Sequence, residues 1–156
     1  MTIFKAYDIR GLYGSELDAR LAERIGRAFF AVVRPRRVVL AHDMRPCAPE
    51  IRDAVARGLS ACGADVVDLG LASTPMHSFA VGAGGFDGGI MVTASHNPAE
   101  YIGMKLSRRG AVPLSREEGI AEIEDRIRRG ELPRDAEAPG RVQRGDFARE
   151  YVEMVA

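Results

Sequence analysis

Four consecutive apolar residues, Val38-Val39-Leu40-Ala41, constrain this chain more than any other feature. A strand with one wet face alternates apolar and polar residues, whereas an unbroken run fits a strand covered on both faces. The pattern recurs in Gly89-Ile90-Met91-Val92, which is entered through Gly88-Gly89, and Ala64-Asp65-Val66-Val67-Asp68-Leu69-Gly70 reads as a further strand. A sheet with helices on both sides is the architecture that such strands require.

Helical periodicity supplies the covering layers. A helix is expected from Asp18, with Leu21, Ile25, Ala28, Phe29 and Val32 on one face and Arg34-Pro35 as its stop. A second begins near Pro49, turns Ile51, Val55, Leu59 and Cys62 inward, and closes at Gly63. Thr74-Pro75 opens a short helix to about Gly82, after which Gly82, Gly84 and Gly85 mark a flexible turn. Gly103-Met104-Lys105-Leu106 reads as a short strand turning through Arg109-Gly110. Ser115 and Glu118 form a capping box for a third long helix with Ile120, Ile123 and Ile127 on its apolar face. The expected fold class is α/β, a three-layer α/β/α domain with a mixed sheet over residues 1–130. Residues 131–145, rich in Pro, Gly and charge, read as a linker, and 146–156 as the start of a helix leading to a second domain outside this sequence.

Composition excludes several function classes. With 156 residues and 46% hydrophobic content, the chain can bury one sizeable core. Twenty-two basic residues cancel twenty-two acidic ones, which argues against nucleic acid or a membrane surface as partner. No apolar run approaches membrane-spanning length, and the N-terminus lacks a signal peptide's apolar core. Cys47 and Cys62 match no metal-ligand spacing and read as reduced thiols of a cytoplasmic protein.

The chemistry concentrates in Thr93-Ala94-Ser95-His96-Asn97-Pro98. Asn97-Pro98 forces the chain out of regular structure, so Ser95 is presented where a strand opens into a loop. In open α/β sheets that is where ligands are met. Three readings are open from the residues alone. One is a polar loop capped by Asn-Pro. A second is a serine hydrolase with His96 as base, against which the missing G-x-S-x-G elbow weighs. The third is a serine that carries a phosphoryl group, which suits an exposed hydroxyl ringed by cationic and polar donors.

Three segments in order carry a resemblance. Thr93-Ala94-Ser95-His96-Asn97-Pro98 resembles the phosphoserine loop of the α-D-phosphohexomutases, the family of phosphomannomutases and phosphoglucomutases. Phe4-Lys5-Ala6-Tyr7-Asp8-Ile9-Arg10-Gly11 resembles the opening motif of its phosphomannomutase/phosphoglucomutase branch. Tyr101-Ile102-Gly103-Met104-Lys105 resembles the segment that follows the serine, with Ile102 where the family usually has asparagine. That departure removes an amide, and with it hydrogen bonds that order the loop or touch substrate.

The resemblance implies a catalytic set of Ser95, Lys105, Arg10 and His96, with Tyr7, Asn97 and Arg45 binding substrate or phosphate. Ser95 would carry the phosphoryl group and, through its phosphate, be a ligand of Mg²⁺. Lys105 and Arg10 would stabilise charge and assist proton movement, while His96 and Asn97 shape the loop. The residues themselves also admit structural roles: Tyr7 as a half-buried strand residue in a 3–11 segment that starts extended, Lys105 as an edge-strand lysine, and Arg45 as an ion pair with Asp43. The family has a similar Asp-x-Arg after the Val38–Ala41 strand, so the resemblance also implies that Arg45 helps to order the active-site side. His77 reads as a packed or solvent-facing histidine. The implied reaction interconverts hexose 6-phosphate and hexose 1-phosphate through a hexose 1,6-bisphosphate. Phosphomannomutase is the expected activity, with phosphoglucomutase or phosphoglucosamine mutase as the alternatives within the family. No Asp-x-Asp-x-Asp metal loop, sugar-selecting Gly-Glu segment or C-terminal phosphate loop is found, so the chain is expected to be inactive without the remaining domains of a parent enzyme. A non-catalytic phosphate-binding or docking domain is the rival from another class.

Overall fold

The computed structural model describes residues 2–156. Among them one mixed sheet of seven strands runs in the order β1-β5-β4-β2-β3-β7, with β6 pairing on β5. The strands are β1 (Ile9–Leu12), β2 (Arg37–His42), β3 (Asp65–Leu71), β4 (Gly88–Val92), β5 (Tyr101–Arg108), β6 (Val112–Pro113) and β7 (Val142–Arg144). β4, β2, β3 and β7 are parallel, whereas β5 runs antiparallel to both β4 and β1.

The continuous apolar runs alternate between two cores. Val38, Leu40, Ile90 and Val92 point into a cluster under α1 (Ala19–Val33), α2 (Ala48–Ala61) and α4 (Ala121–Arg129). Val39, Ala41 and Met91 point to the other face, under α3 (Thr74–Ala83), where Phe86 meets Phe147 just before α5 (Ala148–Val155). This is the three-layer α/β/α arrangement. Phe29, fully buried on α1, alone contributes about 3 kcal/mol of apolar transfer.

The helix boundaries follow local chemistry. Asp18 accepts a bond from the Leu21 amide at the start of α1, and Arg34 ends it in a left-handed conformation, φ 52°, before Pro35. α1 and α2 cross closely enough that a Cβ on Gly58 would lie 2.3 Å from the Glu23 carbonyl oxygen, and one on Gly26 2.7 Å from that of Val55. The third long helix is divided. Ser115 Oγ accepts from the Glu118 amide as expected, but residues 116–120 form a single wide π turn before α4 proper.

Two stretches differ from the sequence reading. Residues 3–11 are not extended throughout: Phe4 and Ile9 pair antiparallel, and the Lys5 amide donates to the Asp8 carbonyl, so residues 5–8 make a tight reversal. Residues 131–145 are not free chain. The Ala136 and Gly140 amides donate to carbonyls of Ala61 and Ser60, and β7 adds to the β3 edge in parallel register, Val66 opposite Val142. Backbone bonds hold this strand, which is why Pro, Gly and charge do not prevent it.

Candidate active site

β4 ends at Val92 and the chain re-enters the sheet at Tyr101, so residues 93–100 span the point where strand direction reverses. Ser95 lies at the exposed crest with φ 55°, a left-handed conformation that costs an L-residue about 1–2 kcal/mol. The surroundings hold it there. The Ser95 amide donates to Thr93 Oγ1 at 3.0 Å, and Thr93 Oγ1 donates to Asp43 Oδ2 at 2.7 Å. His96 and Ser95 are both exposed, and among the described residues no hydrogen bond joins their side chains.

The two arginines assigned to the site differ in kind. Arg10 lies on β1 opposite Gly103, where a Cβ would come within 2.8 Å of Arg10 Cγ. The missing side chain on β5 lets the arginine lie across the sheet. Its Nε contacts Asp8 at 3.1 Å and its Nη1 donates to Asn97 Oδ1 at 2.8 Å. Among the described residues Nη2 has no partner, and the side chain is 37% exposed, so a planar donor pair faces outward beside the serine loop.

Arg45 is occupied. Its Nη1 donates to the carbonyls of Pro98 at 2.7 Å and Tyr101 at 3.1 Å, and its Nη2 to those of Ser95 at 3.1 Å and Asn97 at 2.7 Å. Its Nε donates to Asp43 at 3.2 Å. A guanidinium has five N–H donors, and all five are used. The expectation that Arg45 binds phosphate is therefore corrected: no donor remains for a ligand.

Lys105 pairs across the ladder with Met91. Two residues along β5 from Gly103, it shares the sheet face over which Arg10 lies. Together with Tyr7, Asp8, Thr74 and His77 it lines a cavity of about 340 Å³. Tyr7 is 68% exposed rather than half-buried, because it rides on the 5–8 reversal and not on a strand. Arg10, Asn97, Lys5 and Tyr101 line a second cavity of about 360 Å³ next to the serine loop. The structure thus joins Arg10 to Asn97, two residues from Ser95 in the same loop, while Lys105 and Tyr7 line a separate cavity.

His77 is packed, 3% exposed, with Nε2 at 2.9 Å from the Val39 carbonyl. Burial lowers its pKa to about 4, only partly opposed by that hydrogen bond. The ring is therefore neutral, with its proton on Nε2. Ile102 is fully buried on β5 opposite Gly11, facing the α1/α2/α4 core. An amide there would meet apolar side chains, so this position belongs to the core and does not order the loop. Cys47 and Cys62 are unpaired thiols, both raised in pKa by burial.

A Mg²⁺ ion needs six oxygen ligands in near-octahedral array. Among the described residues no group of three or more His, Cys, Asp or Glu is arranged to hold a metal. The carboxylates nearest the loop, Asp43 and Asp8, are engaged by Arg45 and Arg10. These residues do not fit a resident magnesium site. Thr93 and Asp8 are the residues of the site not assigned in advance; Asp43 was expected only as the ion-pair partner of Arg45, and it also accepts from Thr93.

The reversal of strand direction beside an exposed, strained serine defines a three-layer α/β domain with its working loop at a sheet switch point. Residues 1–134 match the family described as "Phosphoglucomutase/phosphomannomutase, alpha/beta/alpha domain I", and the chain belongs to that family. It is 46% identical over 133 residues to a phosphomannomutase of Salmonella typhimurium, covering 85% of this chain and 29% of that one. It is 42% identical over 154 residues to a phosphomannomutase of Klebsiella pneumoniae, covering 98% of both. Among solved structures it is similar to a phosphoglucomutase/phosphomannomutase family protein of Burkholderia thailandensis, with TM-score 0.86 and 40% identity over 99% of this chain and 36% of that one. The chain spans about a third of the length of most of the curated relatives it matches. No helix among the described residues is long and apolar enough to cross a membrane.

Proposed function

We propose that this chain is the phosphoryl-carrying domain of a cytoplasmic phosphomannomutase, an isomerase that interconverts hexose 6-phosphate and hexose 1-phosphate through a hexose 1,6-bisphosphate. The observation that carries the reading is the exposed Ser95 in a loop whose Asn97 is held by Arg10, an arginine whose Nη2 donors have no partner among the described residues. Phosphoserine at Ser95 donates its phosphoryl group to a sugar hydroxyl. The bisphosphate turns over, and the second phosphoryl group returns to the serine oxygen. The domain's own contribution is positioning and charge neutralisation. Arg10 grips phosphate oxygens through its free donor pair, held in place by Asp8 and Asn97. Lys105, which lines the cavity with Tyr7 and Asp8, neutralises charge as the phosphoryl group passes. A Mg²⁺ ion would find only the phosphate on Ser95 as a ligand in this chain, and there it would offset the phosphate's charge.

Mannose phosphates are the proposed substrates because the matched relatives carry the name phosphomannomutase. Sugar recognition and turnover belong to the remaining two-thirds of such enzymes. The reading is tested by incubating the full-length protein with labelled glucose 1,6-bisphosphate. Label is expected on Ser95 and is expected to vanish in Ser95→Ala, which keeps its fold because an exposed hydroxyl carries little packing energy. Label on another residue, or label surviving in Ser95→Ala, refutes the assignment and leaves the docking-domain reading.

A further inference from the structure

We propose that Arg45 is a positioning residue for phosphoryl transfer: its guanidinium holds the Ser95–Tyr101 loop by the backbone and takes no part in binding phosphate. This deepens the phosphoserine reading and rests on it for the catalytic half of the claim. Four of its five donors go to main-chain carbonyls within seven consecutive residues, at Ser95, Asn97, Pro98 and Tyr101. Carbonyls are present whatever the loop's side chains are, so the grip sets the path of the backbone itself.

The fifth donor orients the fork. Asp43 Oδ2 accepts from Arg45 Nε at 3.2 Å and Asp43 Oδ1 from the Arg45 amide at 3.0 Å. The same carboxylate receives the Thr93 hydroxyl at 2.7 Å. A carboxylate only accepts, so Thr93 donates its single proton to Asp43 and offers a lone pair to the Ser95 amide. Ser95 is thereby held from both sides: its N–H by Thr93 and, through it, Asp43; its C=O by Arg45. The closed circuit of Arg45, Asp43, Thr93 and Ser95 surrounds the one loop residue with a left-handed backbone. Only 9% of the Arg45 side chain is exposed, against 37% for Arg10, which keeps a free donor pair. One arginine is built into the loop; the other is offered to a ligand.

Lysine has three donors on a point charge and cannot bridge four carbonyls and a carboxylate. Arg45→Lys is therefore expected to speed hydrogen exchange at the amides from Ser95 to Tyr101 in this chain while those of β4 and β2 keep their protection. In the full-length protein, labelling of Ser95 at saturating glucose 1,6-bisphosphate is expected to slow on the order of a hundredfold, the cost of a misplaced reacting group. The half-saturating concentration should stay within about twofold, since no ligand contact is lost. Thr93→Val should behave like Arg45→Lys, and Thr93→Ser, which keeps both donor and acceptor, should restore the rate. Unchanged loop exchange in Arg45→Lys overturns the proposal whatever the activity. So does a raised half-saturating concentration with a normal maximal rate, the signature of a phosphate ligand. If unaltered protein takes no label on Ser95, the phosphoserine reading fails, and the exchange experiment still decides whether Arg45 holds the loop.

Discussion

Arg10 and Arg45 look alike on paper, each a lone arginine near the end of a strand. What separates them is the number of acceptors within reach, and four of Arg45's acceptors are main-chain carbonyls some fifty residues away in sequence. Nothing in a string of residue types marks where a backbone oxygen will point. The resemblance names the loop motif and Arg10 and, through Asp-x-Arg, an ordering role for Arg45; which oxygens Arg45 collects could not be read. His77 has a measurable consequence at this scale. Its pKa is near 6.5 in an unfolded chain and about 4 here, so as pH falls the unfolded chain takes up the proton first. Stability is therefore complete above pH 6.5 and declines toward pH 4, by at most about 3 kcal/mol. Thermal melts at pH 7 and pH 4.5 should show a larger loss for the unaltered protein than for His77→Gln, which has no titrating ring. Equal losses would remove His77 from the account.

At the scale of elements, periodicity found α1, α2, α3, β2, β3 and β4 because each buries an apolar face of the right repeat. It misplaced what depends on contact rather than pattern. β7 has three exposed residues and exists through backbone bonds to β3, so no alternation announces it. The π turn at 116–120 inserts an extra residue into a helical start that its cap alone would make regular. Gly26 and Gly58, which the apolar periodicity does not single out, are points where α1 and α2 touch. Gly58→Ala places a methyl against the Glu23 carbonyl, which no rotamer change can relieve. A loss of about 2 kcal/mol is expected, visible as a fall of roughly 4–8 °C in Tm by circular dichroism. Alanine's better helix propensity works in the opposite direction, so an unchanged Tm would mean that the helices separate at little cost.

For the whole molecule, the three-layer plan was legible from four apolar strands and their covering helices, whereas its C-terminal limit was not. Cutting the chain after Gly130 removes β7, and with it Phe147 and Tyr151, which pack on Phe86 and Phe79. The shortened chain is expected to melt at lower temperature than the 156-residue one and to bind a hydrophobic dye, because Phe86 and the β3 edge become uncovered. An identical melt without dye binding would restore 131–145 to the status of a linker.

The sheet order carries one more consequence, for a chain that is made from its N-terminus. Residue 9 pairs with residue 104, so β1 has no neighbour until β5 has been synthesised, while β2 and β3 can join almost as soon as both exist. Arg10, on that waiting strand, is fixed beside the serine loop only once β5 is in place, and the β3–β7 ladder closes later still. The fork of Arg45 likewise lacks its last carbonyl until Tyr101 has been made, so the backbone around Ser95 takes its final shape late, when distant parts of the chain are already in place.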